Sequence, residues 1–172
     1  MQVHKEKDRP DTSESRMWVY SSTKRADIQL RCFEYRESRS GKWARNFLEG
    51  FSGVLITDGY SGFTYAQNQK AHLCAFLEHG EIEISNNQVE NAIRPFVIGR
   101  KGWLFADTPH GAEASAIIYS LMETAKANSL RLDDYLLHLL NILPERAERN
   151  KDFEVDDLLP WSEEMKSWFS AV

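Results

Sequence analysis

Cysteine is scarce in this sequence, with Cys32 and Cys74 the two examples among 172 residues. Two thiols cannot build a disulfide framework, and their spacing matches no metal-ligand pattern. Apolar runs are short, since none approaches the roughly 18 residues that a membrane-spanning helix needs. The opening MQVHKEKDRP also has no apolar signal-peptide core. These absences predict a cytoplasmic protein with no membrane segment and with both cysteines as small buried side chains.

Positive charge is not in excess either, since the formal net charge is -5. This balance excludes a general nucleic-acid coat protein, which needs a clustered positive surface. The charge is nevertheless unevenly spread: residues 1–50 hold 11 Lys or Arg against 8 Asp or Glu, whereas residues 51–172 hold 10 against 18. The acidic second part is interpreted mainly as a solvated surface, with cation-holding carboxylates as the alternative.

What is present fits one soluble domain, because 42% of the residues are hydrophobic and 27% are charged. Residues 1–15 are polar and predict an arm outside the core. Apolar and alternating patterns predict strands over residues 17–20 and 28–35, joined by a turn at 23–27. The continuous apolar residues 54–56 predict a buried central strand.

Helical spacing dominates elsewhere. Trp43, Phe47 and Leu48 predict a short helix that ends near Gly50. The strongest periodicity predicts a helix with one apolar face, formed by Ala114, Ile117, Ile118, Leu121, Met122 and Ala125.

Asn128 is predicted to stop that helix, and a further helix over residues 132–140 is predicted to end shortly before Pro144. The apolar residues within 158–169 are predicted to hold the tail on the body. This order of elements predicts an α/β fold, with an antiparallel hairpin feeding a mixed sheet flanked by helices. A ribonuclease-H-like domain is among the folds compatible with it.

Two carboxylates are candidates for chemistry. Asp58 ends the predicted strand, where catalytic acids are often found, but Asp-Gly is also a common turn dipeptide. Glu90 follows Asn87 by three residues, which is equally the pattern of a helix capping box. If the two side chains meet, a divalent cation would neutralise them, and oxygen ligands favour Mg²⁺ or Mn²⁺. Such a site can support in-line phosphoryl transfer.

Basic residues follow Glu90 closely. Pro95 is predicted to end or kink the helix after Arg94, which would leave residues 99–102 as a flexible basic turn. Arg94, Arg100 and Lys101 are therefore candidate contacts for DNA phosphates, and solvated surface cations are the alternative.

Several motifs together resemble those of the transposases of the insertion sequence 66 family. They are GVLITDGYSGF, GEIEISNNQVENAIRPFVIGRKGWLF, GAEASAIIYSLMETAKANSL and DDLLPW, in that order. The resemblance implies a ribonuclease-H-like fold and an acidic-triad mechanism with divalent metal and DNA as substrate. It aligns Asp58 with the second aspartate of the triad and Glu90 with the glutamate. It also implies a partial catalytic core over residues 1–110 and a C-terminal helical element over 111–172.

Two departures from the family pattern bear on activity. The first aspartate of the family lies in an Asp-Glu-Thr motif slightly before the stretch resembling MQVHKEKDRP, and Met1 comes after it. A longer insertion between the second aspartate and the glutamate is also missing. The expected protein is a truncated, internally deleted transposase remnant, in which Asp8 or Asp11 is a weak substitute for the lost ligand.

Two other functions stay open at this stage. One is a non-enzymatic module that forms homo-oligomers or associates with an intact transposase or with DNA. The other is an unrelated metal-dependent phosphatase or nuclease, which needs a further acidic ligand.

Overall fold

The computed structural model describes residues 1–53, 55–57 and 87–171. About half of this part of the chain is helical, and the rest contains short strands and connections. The strands are β1 (Gln2–Val3), β2 (Arg16–Ser21), β3 (Arg31–Arg36) and β4 (Phe105–Ala106). The α-helices are α1 (Gly41–Phe47), α2 (Asn87–Trp103), α3 (Pro109–Ala127), α4 (Leu132–Arg149) and α5 (Glu163–Phe169), and a 3-10 turn covers Asp156–Leu158.

This content confirms the α/β class. In the described ranges the strands form two separate two-stranded sheets, β1 with β4 and β2 with β3, so the ribonuclease-H-like arrangement stays a prediction. The chain divides into two compact units. Unit 1 comprises Met1–Trp18 and Tyr35–Ala112, and unit 2 comprises Val19–Glu34 and Glu113–Val172.

The first residues of the chain belong to the core of unit 1. Strand β1 pairs in parallel with β4, with Gln2 opposite Phe105 and Val3 opposite Ala106. Val3 is fully buried, and the ring of His4 stacks on that of Phe105 with 4.3 Å between centroids. The predicted polar arm over residues 1–15 is therefore wrong, because a two-residue strand is too short to show an alternating pattern.

A buried carboxylate organises the rest of this segment. Glu6 is 8% exposed and bonds with the side chains of Arg9, Ser15 and Tyr35. Burial, together with the hydrogen bond to Glu6, raises the pKa of Tyr35 to about 12. The polar side chains of this segment thus find partners inside the fold, as buried polar groups must.

Helix α2 continues through Pro95 to Trp103, so the predicted end after Arg94 is wrong, and the alternative of a kink at Pro95 stays a prediction. A proline inside a helix costs roughly 3 kcal/mol, since it removes one backbone hydrogen bond. Burial on the inner face of α2 offsets this: Phe96 is 4% exposed, and its ring meets that of Trp103 edge-on at 5.4 Å. The predicted flexible basic turn over residues 99–102 is instead the last turn of this helix.

Leu104 ends α2 in a left-handed conformation, with φ at 55°. Its N–H donates to the carbonyl of Arg100 at 2.8 Å, while its side chain is 65% exposed. Left-handed backbone costs a residue with a Cβ about 1–2 kcal/mol, and glycine avoids this penalty.

We expect Leu104→Gly to raise the free energy of unfolding by about 0.5–1 kcal/mol, after subtracting the greater chain entropy that glycine loses. Urea unfolding measures the change. Leu104→Ala is the matched control, because it removes the same exposed side chain and keeps the Cβ. Equal stabilities of the two variants would contradict the explanation.

Unit 2 begins within the hairpin of β2 and β3, of which it holds Val19–Glu34. The N–H of Ala26 donates to the Thr23 carbonyl at 3.1 Å, which confirms the predicted turn. Strand β3 starts three residues later than predicted, at Arg31. Arg31 and Phe33 are its buried residues, whereas Cys32 is half-buried and so less buried than predicted.

Side chains four residues apart on α3 cover the outer edge of β3. They bond the backbone of every second residue, pairing Ser120 with Phe33, Thr124 with Arg31 and Asn128 with Gln29. Thr124 accepts from the N–H of Arg31 at 3.0 Å and donates to its carbonyl at 2.9 Å. Four helical residues advance about 6 Å and two strand residues about 6.6 Å, so the two spacings match. We call this arrangement the edge ladder.

The edge ladder explains one error in the predicted apolar face of α3. The helix itself and its end before Asn128 are confirmed. Ile118 lies about 160° around the helix from Ser120 and about 120° from Thr124. Ile118 is accordingly 52% exposed, and Ile117 is 61% exposed.

The core of unit 2 lies between α3, α4 and the C-terminal segment. Its buried residues are Ala125, Leu130, Tyr135, Leu139, Leu158 and Met165. The predicted docking of the tail is confirmed, because Leu158, Met165 and Phe169 all join this cluster.

Helix α4 passes through Pro144 to Arg149, so its predicted end is wrong. The last turns of α4 hold the 3-10 segment through Arg146, which bonds both carboxylate oxygens of Asp157. This contact lowers the pKa of Asp157. Among the described helices, none has the length and apolarity that a membrane crossing requires.

Candidate functional site

The first predicted site residue, Asp58, lies outside the described residues. Leu55, Ile56 and Thr57, which lead up to it, are half-buried and form no strand. The predicted strand over 54–56 is therefore wrong for Leu55 and Ile56. The chemistry assigned to Asp58 stays a prediction.

Glu90 lies in the first described turn of α2, and its side chain is exposed. Asn87 is already helical, whereas a capping residue has non-helical backbone angles. The predicted capping box at Asn87 is therefore wrong. The carboxylate of Glu90 faces solvent, and it also complements the positive end of the helix dipole.

Three of the predicted site residues share one face of α2. Glu90, Arg94 and Lys101 are spaced at i, i+4 and i+11, which places them within about 40° of one another around the helix axis. All three side chains are exposed. Val97 and Ile98 lie on the same face and are 47% and 59% exposed. We call these five residues the α2 face.

Arg100 does not belong to the α2 face. By helical geometry it lies about 100° from Lys101, about 120° from Arg94 and about 80° from Glu90, and it is half-buried. Its charge acts on Met1, whose amino group has a lowered pKa because of burial first and of Arg100 second. The structure therefore separates Arg100 from the two cations with which the sequence had grouped it.

The helix dipole offers a purely structural role for the charges of α2. Glu90 is in the first turn, and Arg100 and Lys101 are in the last. Each such charge stabilises a helix by about 0.3–1 kcal/mol. This role is compatible with an additional role in binding, because the side chains of Glu90, Arg94 and Lys101 remain accessible.

In the described parts of the chain no group of three or more His, Cys, Asp or Glu side chains is arranged to hold a metal ion. Glu90 offers the oxygen donor that Mg²⁺ or Mn²⁺ prefers, but one exposed carboxylate is a weak site by itself. Of the two suggested substitutes, Asp11 accepts the N–H of Lys5 at 3.2 Å. The predicted metal site stays a prediction, because its other proposed ligand, Asp58, lies outside the described residues.

A second basic region, which the sequence analysis did not predict, lies at the turn from β3 into α1. Residues 36–45 hold four Arg or Lys and one Glu, a net charge of +3. The ring of Trp43 lies 4.7 Å from the guanidinium carbon of Arg36 and 4.0 Å from the Lys42 ammonium. The charge of the sequence could have shown this region, because the net charge of +3 within residues 36–45 equals that of residues 1–50.

The chain belongs to the Transposase IS66 family. The sequence profile of that family matches residues 1–65 and 61–114, which together span well over half of the chain. This match confirms the family resemblance drawn from the motifs around Asp58 and Glu90.

Relatives in Sinorhizobium fredii (strain NBRC 101917 / NGR234) match about half of the chain. Uncharacterized protein y4qI is 36% identical over 98 residues, which are 57% of this chain and 18% of that protein. Uncharacterized protein y4jD is 31% identical over 90 residues, which are 52% of this chain and 17% of that protein. Uncharacterized protein y4hP is 29% identical over 86 residues, which are 50% of this chain and 15% of that protein. The matched part of the chain spans less than a fifth of the length of these relatives. No solved structure matches.

Proposed function

We propose that this chain is a remnant of a DNA transposase that retains two of the three acidic residues for metal-dependent phosphoryl transfer and does not cleave DNA by itself. The main support for this proposal is the α2 face, which presents Glu90 beside Arg94 and Lys101. The chain that carries this face is a member of the Transposase IS66 family. A carboxylate for a cation, next to cations for phosphates, is the set of side chains that phosphoryl transfer requires.

Each residue of the proposed site has a defined part. Asp58 and Glu90 hold Mg²⁺ or Mn²⁺ through carboxylate oxygens. Such an ion, when bound, polarises a phosphate oxygen and lowers the pKa of a bound water or hydroxyl. Arg94 and Lys101 contact the DNA backbone at the ends of an insertion element. Arg100 is half-buried, so we do not propose that it contacts the DNA backbone in the same way as Arg94 and Lys101.

We expect inactivity because the site proposed for this chain by itself has two carboxylates, Asp58 and Glu90. Two carboxylates cannot hold two ions in the geometry of an in-line displacement. The family match also falls into two segments, as a chain with an internal deletion would give. We retain the proposal of a partial ribonuclease-H-like core over residues 1–110, followed by a helical element over 111–172.

A nicking assay tests the proposal. We expect the purified protein to convert supercoiled DNA carrying matching element ends, with Mn²⁺ or Mg²⁺, no faster than the Asp58→Ala and Glu90→Gln variants do. The physical reason is the weak binding of a cation by two ligands. Robust nicking that Asp58→Ala abolishes would overturn the inactivity, and would indicate a third ligand within this chain.

An association module is the second candidate, and the apolar part of the α2 face favours it. Val97 and Ile98 are 47% and 59% exposed between charged neighbours, so an apolar pair is accessible to a partner protein. Co-purification with an intact family member, weakened by Val97→Ser with Ile98→Ser, would support this function. A strictly monomeric protein without affinity for that relative would exclude it.

A further inference from the structure

We propose that the solvent-facing side of α4 is a self-association surface, through which two copies of this chain pair with their α4 helices antiparallel. This surface, which we call the α4 stripe, consists of Leu137, Leu140, Pro144 and Ala147. It lies wholly within unit 2. The inference therefore does not rest on the α2 face or on the proposed function.

The spacing of the α4 stripe is that of a seam between paired helices. Its members recur at i, i+3, i+7 and i+10, which is the average repeat of 3.5 residues that brings two helices together. All four are exposed, with Leu137 at 60% and Leu140 at 71%. The buried side of the same helix, at Tyr135 and Leu139, lies about 140° around its axis. The α4 stripe is therefore not part of the core of unit 2.

Charge indicates a second copy as the occupant of this surface, and an antiparallel direction. Asp133 precedes Leu137 by four residues and extends the α4 stripe at one end, while Lys151 follows Ala147 by four residues just beyond the other end. Both charged side chains are exposed, and among the described residues neither forms an ion pair. Antiparallel pairing about the midpoint of the α4 stripe brings each Asp133 near Lys151 of the second copy. Parallel pairing would instead oppose the two Asp133 carboxylates.

The flanks of the α4 stripe fit the antiparallel arrangement. Leu143 is half-buried on one flank and meets Leu143 of the second copy near the two-fold axis. On the other flank Asp134 comes near Glu148 of the second copy, but Arg131 already balances its charge by donating from Nε at 2.7 Å. The α4 stripe covers about three helical turns, so we expect a weak, concentration-dependent dimer, as small interfaces give.

Sedimentation velocity over a wide range of protein concentration tests the inference. The full chain should show a reversible equilibrium between monomer and dimer. Leu137→Gln with Leu140→Gln should weaken dimerisation by about 100-fold or more, because four leucine side chains leave each interface and complete burial of one is worth about tenfold or more. A wild-type protein that stays monomeric at every concentration would overturn the inference.

Ile117→Gln with Ile118→Gln is the matched control. These two residues belong to α3 in the same unit and are 61% and 52% exposed, so the surface loses a comparable apolar area. The control variant should dimerise as the wild type does. Equal weakening in the two double variants would overturn the inference. Circular dichroism and thermal unfolding establish that each variant is folded.

Charge reversal tests the pairing of Asp133 with Lys151. Asp133→Lys and Lys151→Asp should each weaken dimerisation by about 3–10-fold, because each places like charges together twice in a dimer. An equimolar mixture of the two variants should recover the wild-type affinity, since the mixed dimer restores both pairs of opposite charge. A mixture as weak as either variant would overturn this pairing.

Disulfide trapping tests the direction, in a background of Cys32→Ser with Cys74→Ser. In the antiparallel dimer Leu137 lies opposite Ala147 of the second copy, whereas the two Leu137 positions are about 15 Å apart along the helix, too far for a disulfide. A mixture of the Leu137→Cys and Ala147→Cys proteins should therefore form covalent dimers, and neither protein should do so by itself. Covalent dimers of the Leu137→Cys protein alone would indicate parallel pairing and overturn the inference.

The outcomes of these tests are distinct from those for the proposed function. Val97→Ser with Ile98→Ser changes the α2 face and should leave self-association unchanged. If this variant abolishes the dimer instead, the interface belongs to α2 and the inference about α4 is overturned. Robust nicking by the wild-type protein would overturn the proposed inactivity and leave the pairing through α4 intact.

Discussion

Replacing Thr124 by valine is expected to lower the free energy of unfolding by about 2–6 kcal/mol. Valine has nearly the same shape, but it cannot bond the N–H and carbonyl of Arg31, which Thr124 holds at 3.0 and 2.9 Å. Thr124 is 2% exposed and Arg31 is 8% exposed, so water does not readily replace the hydroxyl. Each buried backbone group left without a partner costs about 1–3 kcal/mol.

Urea unfolding followed by circular dichroism measures this loss, and Thr124→Ser is the control. Serine keeps the hydroxyl and lacks one methyl group, for which a loss of about 0.8 kcal/mol is expected. Similar losses in the valine and serine variants would show that Thr124 stabilises through packing and that the edge ladder contributes little.

Replacing Tyr135 by alanine is expected to lower the free energy of unfolding by about 3–5 kcal/mol, as large-to-small changes of buried aromatic residues do. Tyr135 is fully buried in unit 2, and its ring meets that of Phe169 edge-on at 6.3 Å. Its hydroxyl donates to the Leu158 carbonyl at 2.9 Å, and burial raises the pKa of this hydroxyl. The residue thus joins α4 to the tail through both packing and a hydrogen bond.

Two further variants separate these contributions. Tyr135→Phe keeps the ring and leaves the Leu158 carbonyl unpaired, so we expect a loss of about 1–3 kcal/mol. Leu140→Ala changes a residue of the same helix that is 71% exposed, and it should stay within about 0.5 kcal/mol of wild type. A Leu140→Ala loss as large as that of Tyr135→Ala would mean that the two faces of α4 are assigned wrongly.

Long periodic patterns were sufficient to predict the main helices of unit 2. The helix before Asn128 and the docking of the C-terminal tail were predicted because many apolar residues contribute to each pattern. The helix ends predicted at Pro95 and Pro144 were wrong, because the sequence alone shows the hydrogen bond that a proline removes and not the packing that offsets its loss. Strand β1 was missed because two residues cannot display a period, and their pairing with β4 depends on residues far away in the chain.

The candidate site was predictable only in part. Helical spacing alone would have placed Glu90, Arg94 and Lys101 together and set Arg100 apart, once α2 was known to continue through Pro95. The role of Asp58 came from the resemblance to the family, whose membership is now shown. The basic segment 36–45 could have been found by counting charge in short windows, whereas the position of Trp43 beneath its cations needed coordinates.

The pairing of β1 with β4 also sets an order of events during synthesis. Gln2 is synthesised 103 residues before its partner Phe105. At about 5–20 residues per second, Val3 therefore waits roughly 5–20 s before its neighbour exists. During that interval a fully apolar side chain of the finished core is unprotected. Strand β1 is consequently accessible to chaperones and proteases until β4 has been made.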